Sequence, residues 1–429
     1  MSITYTWLPS DLPDIDSSYL KIVKAAGSYL ISDDGLNIYD AISSWWCKPL
    51  GHQHRLVIDS INDQLKYFEH HIPAKLYNSK IEELSRRLVQ IFTQMDKVIY
   101  ASDGSSAVEI AMKLSYEVRV LNNQPGKYKF IALNGAYHGE TIFTLGVCGI
   151  DKFKTNYKNL LIDNYFIEYI PYVESRNDPI WENCNFDNVY WDNFFKIISI
   201  DTTALIFEPI VQGGNAMKII SKDFLQKIIF VAKKYGLHII ADEIMVGLGR
   251  LGCYSVSKEI LNIEPDLVCF AKNLTAGSIP MSAVVINHAI SDQFRFHNHV
   301  FPHSHTHSCN TIAASVAVNY LKWLEDSDVF RQVKKAELIL IEQLYKFKLE
   351  FKFIEKIKCI GAIAALELNC PNEIINSIHE IGIKEKILLR PINNTLYIMP
   401  PLYNIENDLK FVLLMVYKVL VKINNLTII

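Results

Sequence analysis

The sequence predicts an α/β protein built on a largely parallel sheet, and three observations carry that prediction. From Val98 to about Asn310, short β-runs alternate with helical stretches, the pattern of successive βαβ units. The runs are continuously apolar, as strands covered on both faces are. Two of them stop abruptly on an ionisable side chain: His238-Ile239-Ile240-Ala241 reaches Asp242-Glu243, and Leu267-Val268-Cys269-Phe270 reaches Ala271-Lys272. Ligands of open α/β sheets bind in the crevice beyond the carboxyl ends of the strands, so this sheet offers a carboxylate and an amine to one crevice.

Taken in order, the chain begins irregularly. Met1 to Pro9 has no basic region leading into an apolar core, so no signal peptide is expected, and Tyr5-Thr6-Trp7 receives no role. Tyr29 to Asp40 reads as a hairpin turning on Asp33-Asp34-Gly35. The Ser43-Ser44-Trp45-Trp46 loop follows, then amphipathic helical stretches around residues 55–70 and 79–93. Strands are expected at Val98–Tyr100, Lys129–Leu133, Ala204–Phe207, His238–Ala241, Leu267–Ala271 and Ala283–Ile286. A helix is expected over Ser221–Tyr235, with Ser221 as its cap and Gly236 just beyond its last turn.

Residues 150–200, rich in Asn, Tyr and Trp with weak periodicity, read as a surface excursion. After Asn310 come a long helix (Ile312–Glu325) and strands near Ala362–Leu368 and Thr395–Met399. Leu409–Ile423 is too short to span a bilayer and carries Lys410, Lys418 and Lys422 on one helical face, so it reads as an amphipathic helix packed on the body. The domain division expected is a segment 1–55 contributing to a small α+β domain, a large α/β domain 56–310, and the rest of the small domain in 311–429.

A net charge of −3 provides no basic field for nucleic acid, and half the residues are apolar, enough for a sizeable core. Eight cysteines without CxxC or regular spacing read as reduced cytosolic thiols. Five histidines between His297 and His307 alternate without supplying a closed tetrahedral ligand set, so no metal site is expected.

Three features converge on one cofactor. Tyr100 to Glu109 (Tyr-Ala-Ser-Asp-Gly-Ser-Ser-Ala-Val-Glu) follows a strand and opens a helix, where small residues and unpaired N–H groups suit a phosphate; an ordinary helix cap is the alternative. A lysine desolvated at a strand end loses pKa and becomes nucleophilic, which makes Lys272 a Schiff-base candidate against the plainer reading of a snorkelling surface lysine. Asp242 reads as an acid facing a pyridine nitrogen, or as a simple cap. Pyridoxal phosphate needs the amine, the acid and the anion site together.

These residues also carry a family resemblance. Ile240-Ala241-Asp242-Glu243-Ile244-Met245-Val246-Gly247-Leu248-Gly249-Arg250-Leu251-Gly252 resembles the cofactor signature of class III (ω-type) aminotransferases. So do Lys272-Asn273-Leu274-Thr275-Ala276-Gly277, Asn134-Gly135-Ala136-Tyr137-His138-Gly139-Glu140 and Glu208-Pro209-Ile210, in the family's order from about residue 25 to the C-terminus. Ser43-Ser44-Trp45-Trp46 and Leu389-Arg390-Pro391 with Leu396-Tyr397-Ile398-Met399-Pro400-Pro401 resemble the branch that aminates 8-amino-7-oxononanoate in biotin synthesis.

The resemblance implies a fold-type I, pyridoxal 5'-phosphate-dependent homodimer in the cytoplasm, with S-adenosylmethionine as amino donor and lysine as the alternative. It implies roles as well. Lys272 bonds the cofactor's aldehyde and shuttles the proton, Asp242 faces the pyridine nitrogen and Tyr137 lies on the ring. Gly104 and Ser105 hold the phosphate, joined by Thr306 from the partner subunit, while Glu208 gives support. Trp45 walls the pocket for the aliphatic substrate, although both Trp45 and Trp46 read equally well as core. Arg390 binds a substrate carboxylate, with Arg250 a second candidate for the same pocket. Gly214 stands where glutamate-using relatives often carry an acidic gate, which argues against glutamate as donor. Another ω-amine or diamine aminotransferase of the same family is the alternative reading.

Overall fold

The structure, a computed structural model, describes residues 5–12, 19–198 and 200–427; Met1 to Thr4 of the N-terminal stretch lie outside them. Its largest sheet has seven strands, in the spatial order Met95–Ala101, Ser282–Asn287, Leu267–Phe270, His238–Asp242, Thr202–Phe207, Lys129–Leu133 and Tyr165–Ile167. Ser282–Asn287 runs antiparallel to both neighbours, and the remaining pairings are parallel. The continuous apolar runs have their explanation in the layers. Ile206, Ile240, Cys269 and Val284 join one buried cluster with the helix Gly104–Leu121. Their neighbours Leu205, Ile239, Val268 and Val285 join another with the helix Lys222–Lys234. Side chains alternate between faces with a period of two, and both faces are covered.

The expected Ser221 cap and the expected hairpin are present. Ser221 caps its helix by accepting the Phe224 N–H at 3.3 Å, and Tyr29–Ser32 pairs antiparallel with Asn37–Asp40. One expectation is corrected. The excursion of residues 150–200 contains the seventh strand of the main sheet, Tyr165–Ile167, hidden from pattern reading because it is a three-residue edge strand.

A second sheet joins Ile22–Ala26, Tyr29–Ser32 and Asn37–Asp40 to Ile387–Leu388, the last pairing being parallel with Ile387 opposite Tyr39. A third, antiparallel sheet comprises Ile354–Ile360, Ile363–Leu368 and Thr395–Ile398. Chain segments from both ends therefore meet, and Ser28 and Tyr39 donate to Asp408 of the terminal helix Ile405–Thr427 at 2.8 and 3.1 Å. The helix Thr311–Asp326 packs against Arg55–Leu65 and Ser79–Val89. Among the described residues no helix is long and apolar enough to cross a membrane, no group of side chains is placed to hold a metal ion, and all eight cysteines are unpaired.

Candidate active site

The parallel ladder sets the site. Asp242 ends its strand opposite Cys269 of the next one. Lys272 lies three residues past Cys269, at the start of the short 3-10 helix Lys272–Thr275. Both line a cavity of about 520 Å³ at the carboxyl ends of the strands, where a ligand of this fold class belongs. Glu243 turns the other way: it is 1% exposed and accepts the Ser255 hydroxyl at 2.6 Å and the Val256 N–H at 2.7 Å. One acid of the pair faces the cavity and the other locks the loop that follows.

The two facing groups carry opposite electrostatic demands. Burial pushes the Lys272 amine below its usual pKa, and the charges of Asp242, Cys47 and Glu208 only oppose that shift. Its Nζ lies 5.2 Å from the ring centre of Trp46. Asp242 accepts the Ile244 N–H at 3.2 Å and shares a 2.8 Å hydrogen bond with Nδ1 of His138. Buried with them, His138 has no partner at Nε2.

Tyr137 is held at three points. Its N–H donates to Glu208 at 3.0 Å, its hydroxyl donates to Glu140 at 2.8 Å, and its ring meets Phe153 edge-on. Burial, followed by the bond to Glu140, raises its pKa well above the usual phenol range. Glu208 also accepts the Gly213 N–H at 3.1 Å. Burial lifts Glu208 to about 7, with His138 and the two backbone donors pulling down and Asp242 pushing up.

At the other end of the cavity, Ser102, Asp103, Gly104 and Ser105 form its lining where the helix Gly104–Leu121 begins. Asp103 caps that helix by accepting from Ser106 N at 2.9 Å and Ser106 Oγ at 2.8 Å. The backbone comes close here: a Cβ on Gly104 would stand 3.0 Å from Ile244 Cδ1. A helix start of this kind attracts an anion. A depressed amine, a buried acid with an imidazole behind it, an aromatic ring and the start of the helix Gly104–Leu121 share one cavity. The donor set fits pyridoxal phosphate, and the unpartnered His138 Nε2 shows that the site has unused polar capacity.

The structure divides the other expected residues. Trp46, not Trp45, lines the cavity, and Trp45 is 48% exposed. Left-handed backbone at Ser43, Ser44 and Trp46 turns successive side chains in directions that sequence spacing does not reveal. Trp45 instead stacks under Arg390, whose guanidinium lies 4.2 Å from its ring centre. Arg250, expected at a substrate carboxylate, has no exposed surface. It donates to the Pro400 carbonyl at 2.7 Å and approaches Ser43 Oγ at 3.5 Å, so it pins backbone and is not available to substrate. Thr306 is exposed on this chain's own surface and outside the cavity lining, and its carbonyl bonds His70. The clustered histidines pair with other side chains: His299 with Glu117, and His303 with both Lys113 and His305. Sequence reasoning missed Cys47, Met245 and Met281 as lining residues and His138 as the partner of Asp242. Only His138 had a signal, its place beside Tyr137.

The chain is similar to known proteins along nearly its whole length. The family model for class-III aminotransferases matches residues 13–420. The adenosylmethionine-8-amino-7-oxononanoate aminotransferase of Helicobacter pylori is 31% identical over 421 residues, covering 96% of this chain and 94% of the relative. The crystal structure of the enzyme of that name from Methanocaldococcus jannaschii superposes with a TM-score of 0.88 at 26% identity, covering 97% of each chain. An amine transaminase from an uncultivated Pseudomonas species, solved in its PLP-bound form, shares the fold at a TM-score of 0.88 and 24% identity, covering 98% of this chain and 99% of that one.

Proposed function

This chain belongs to the class-III aminotransferases, and on that premise we propose that it aminates 8-amino-7-oxononanoate to 7,8-diaminononanoate in biotin synthesis, with S-adenosylmethionine as donor. The observation that carries the chemistry is the meeting of Lys272 and Asp242 in one cavity. The substrate assignment is supported by the name of the near full-length Helicobacter relative. Lysine as donor, and a different ω-amine as substrate, are the competing readings.

Bound pyridoxal phosphate supplies the electron sink for the substrate carbanion; the rest falls to this chain's side chains. The depressed Lys272 amine would hold the cofactor and would move the proton at the substrate carbon. Asp242 holds the proton on the pyridine nitrogen, with His138 fixing the carboxylate at 2.8 Å. Tyr137, kept in place through its N–H by Glu208, would help hold the cofactor ring. Gly104 and Ser105 receive the phosphate at the helix start, joined by the partner subunit's Thr306 in a homodimer. Trp46 borders the aliphatic chain of the keto substrate. Arg390, stacked on Trp45, meets its carboxylate with a planar fork. A reducing cytoplasm suits the eight unpaired cysteines.

The test is a half-reaction panel on purified protein reconstituted with pyridoxal phosphate, following the cofactor's absorption band. S-adenosylmethionine and, in the reverse direction, 7,8-diaminononanoate should each shift the band, while glutamate should leave it unchanged. The Lys272→Ala variant should show neither the wild-type band nor turnover. A silent response to 7,8-diaminononanoate would sink the substrate assignment and leave the aminotransferase class standing. A shift with lysine in place of S-adenosylmethionine would reassign the donor.

A further inference from the structure

Asp40 closes the strand Asn37–Asp40 and has no exposed surface. A buried carboxylate is costly unless its oxygens are filled. Here Oδ1 accepts the Ser44 N–H at 2.8 Å and Oδ2 accepts the Ser44 hydroxyl at 2.9 Å. Oδ2 also bonds Nε2 of His52 at 2.9 Å.

The bonds to Ser44 serve a strained segment. Ser43, Ser44 and Trp46 have φ of 49°, 58° and 64°, left-handed values that side chains other than glycine rarely adopt. Such a run persists only where its surroundings over-determine it. Asp40 grips its middle from one side, and Ser43 Oγ donates to the Met399 carbonyl at 2.7 Å from the other. The product of the strain is a pair of adjacent tryptophans facing different ways. Trp46 turns to within 5.2 Å of Lys272 Nζ, with Nε1 donating to the Tyr397 hydroxyl at 2.9 Å. Trp45 turns outward under Arg390.

We infer that Asp40, backed by His52, is a positioning residue that sets substrate specificity, holding the Ser43–Trp46 turn so that Trp46 borders the reacting centre and Trp45 seats Arg390. Asp40 touches neither cofactor nor substrate; it acts through the turn. The inference rests on the proposed function only in taking the two tryptophans and Arg390 as the keto-substrate side of the site.

The test compares Asp40→Ala, Asp40→Asn and His52→Gln holoenzymes with Trp46→Ala as reference. Misplacing groups by an ångström can lower reactivity about 100-fold, so Asp40→Ala should lower kcat/KM for 8-amino-7-oxononanoate about 10- to 100-fold. The cofactor band should persist, and the donor half-reaction should fall less than the keto-substrate half-reaction. Asp40→Asn keeps an acceptor for the Ser44 N–H and should recover most of the loss. Acrylamide should quench tryptophan fluorescence more in Asp40→Ala than in wild type, a readout independent of turnover. If Asp40→Ala does not fold, Ser44→Ala and His52→Gln carry the same comparison. An unchanged kcat/KM for 8-amino-7-oxononanoate in Asp40→Ala, or in both of those substitutes, overturns the inference, and so does an equal loss with every substrate accompanied by loss of the band. A defect in Trp46→Ala beside a silent Asp40→Ala overturns the positioning alone. Silence in Trp46→Ala disproves the substrate wall, and the inference falls with it.

Discussion

At the scale of single residues, burial acts on ionisable groups in opposite senses. It lowers the Lys272 amine, which helps a nucleophile, and it raises Glu208 to about 7 against the pull of the two backbone N–H groups it accepts. His238 is a case where the same effect becomes a stability statement. Burial, with the charges of Arg119 and Lys127, lowers it to about 3 from 6.5. Between those values the unfolded chain binds a proton that the native imidazole refuses, so this contribution to stability is complete above pH 6.5 and is lost as pH falls towards 3. Wild type should therefore lose roughly 1–2 kcal/mol more than His238→Gln between pH 7 and pH 5, read from urea midpoints; equal losses would refute the assignment. Arg390→Ala should raise KM for the keto substrate about 10- to 100-fold, the usual cost of a charge-assisted hydrogen bond, with the cofactor band intact. Loss of the cofactor in that variant would contradict its place on the substrate side. Lys272 and Asp242 were legible in the sequence because a charge that ends a buried strand has few places to go. Trp46 over Trp45, and the burial of Arg250, were not legible, since left-handed turns and backbone carbonyls from distant segments decide them.

At the scale of elements, the loop after Glu208 shows how close packing fixes a site. A Cβ on Gly214 would stand 2.9 Å from Tyr137 Cβ, an atom attached to backbone that cannot swing aside. Gly214→Ala should displace the Tyr137 ring and speed cofactor dissociation by about 10- to 100-fold, measured as decay of the absorption band on dilution; retention at the wild-type rate would show that the loop yields freely. Elements of this kind were partly readable. Six of the seven strands of the main sheet stood out because continuous apolar runs mark strands covered on both faces. Tyr165–Ile167 did not, being a short edge in a polar stretch, and the reversed direction of Ser282–Asn287 was invisible because hydrophobic periodicity carries no sign. The cap at Ser221 was readable residue by residue, since its chemistry is local.

At the scale of the whole molecule, the proposed homodimer makes each site depend on two chains. Mixed dimers of Lys272→Ala with Thr306→Arg should exceed the summed activity of the two homodimers, because one of their two sites then pairs an intact lysine with an intact threonine. No gain on mixing would place Thr306 outside the site. Within one chain there is a comparable dependence. Tyr39, next to the acid that grips the tryptophan turn, pairs with Ile387, almost the whole chain away, and Met399 closes the same turn. On the ribosome the hairpin Tyr29–Asp40 emerges early and waits for the last segment before its edge is paired. The central sheet can form while synthesis continues, so Lys272 is in place before Met399 closes the Ser43–Trp46 turn. Chains stalled short of Ile387 should accordingly be clipped by protease first around Trp45, in a molecule whose seven-stranded sheet is already resistant.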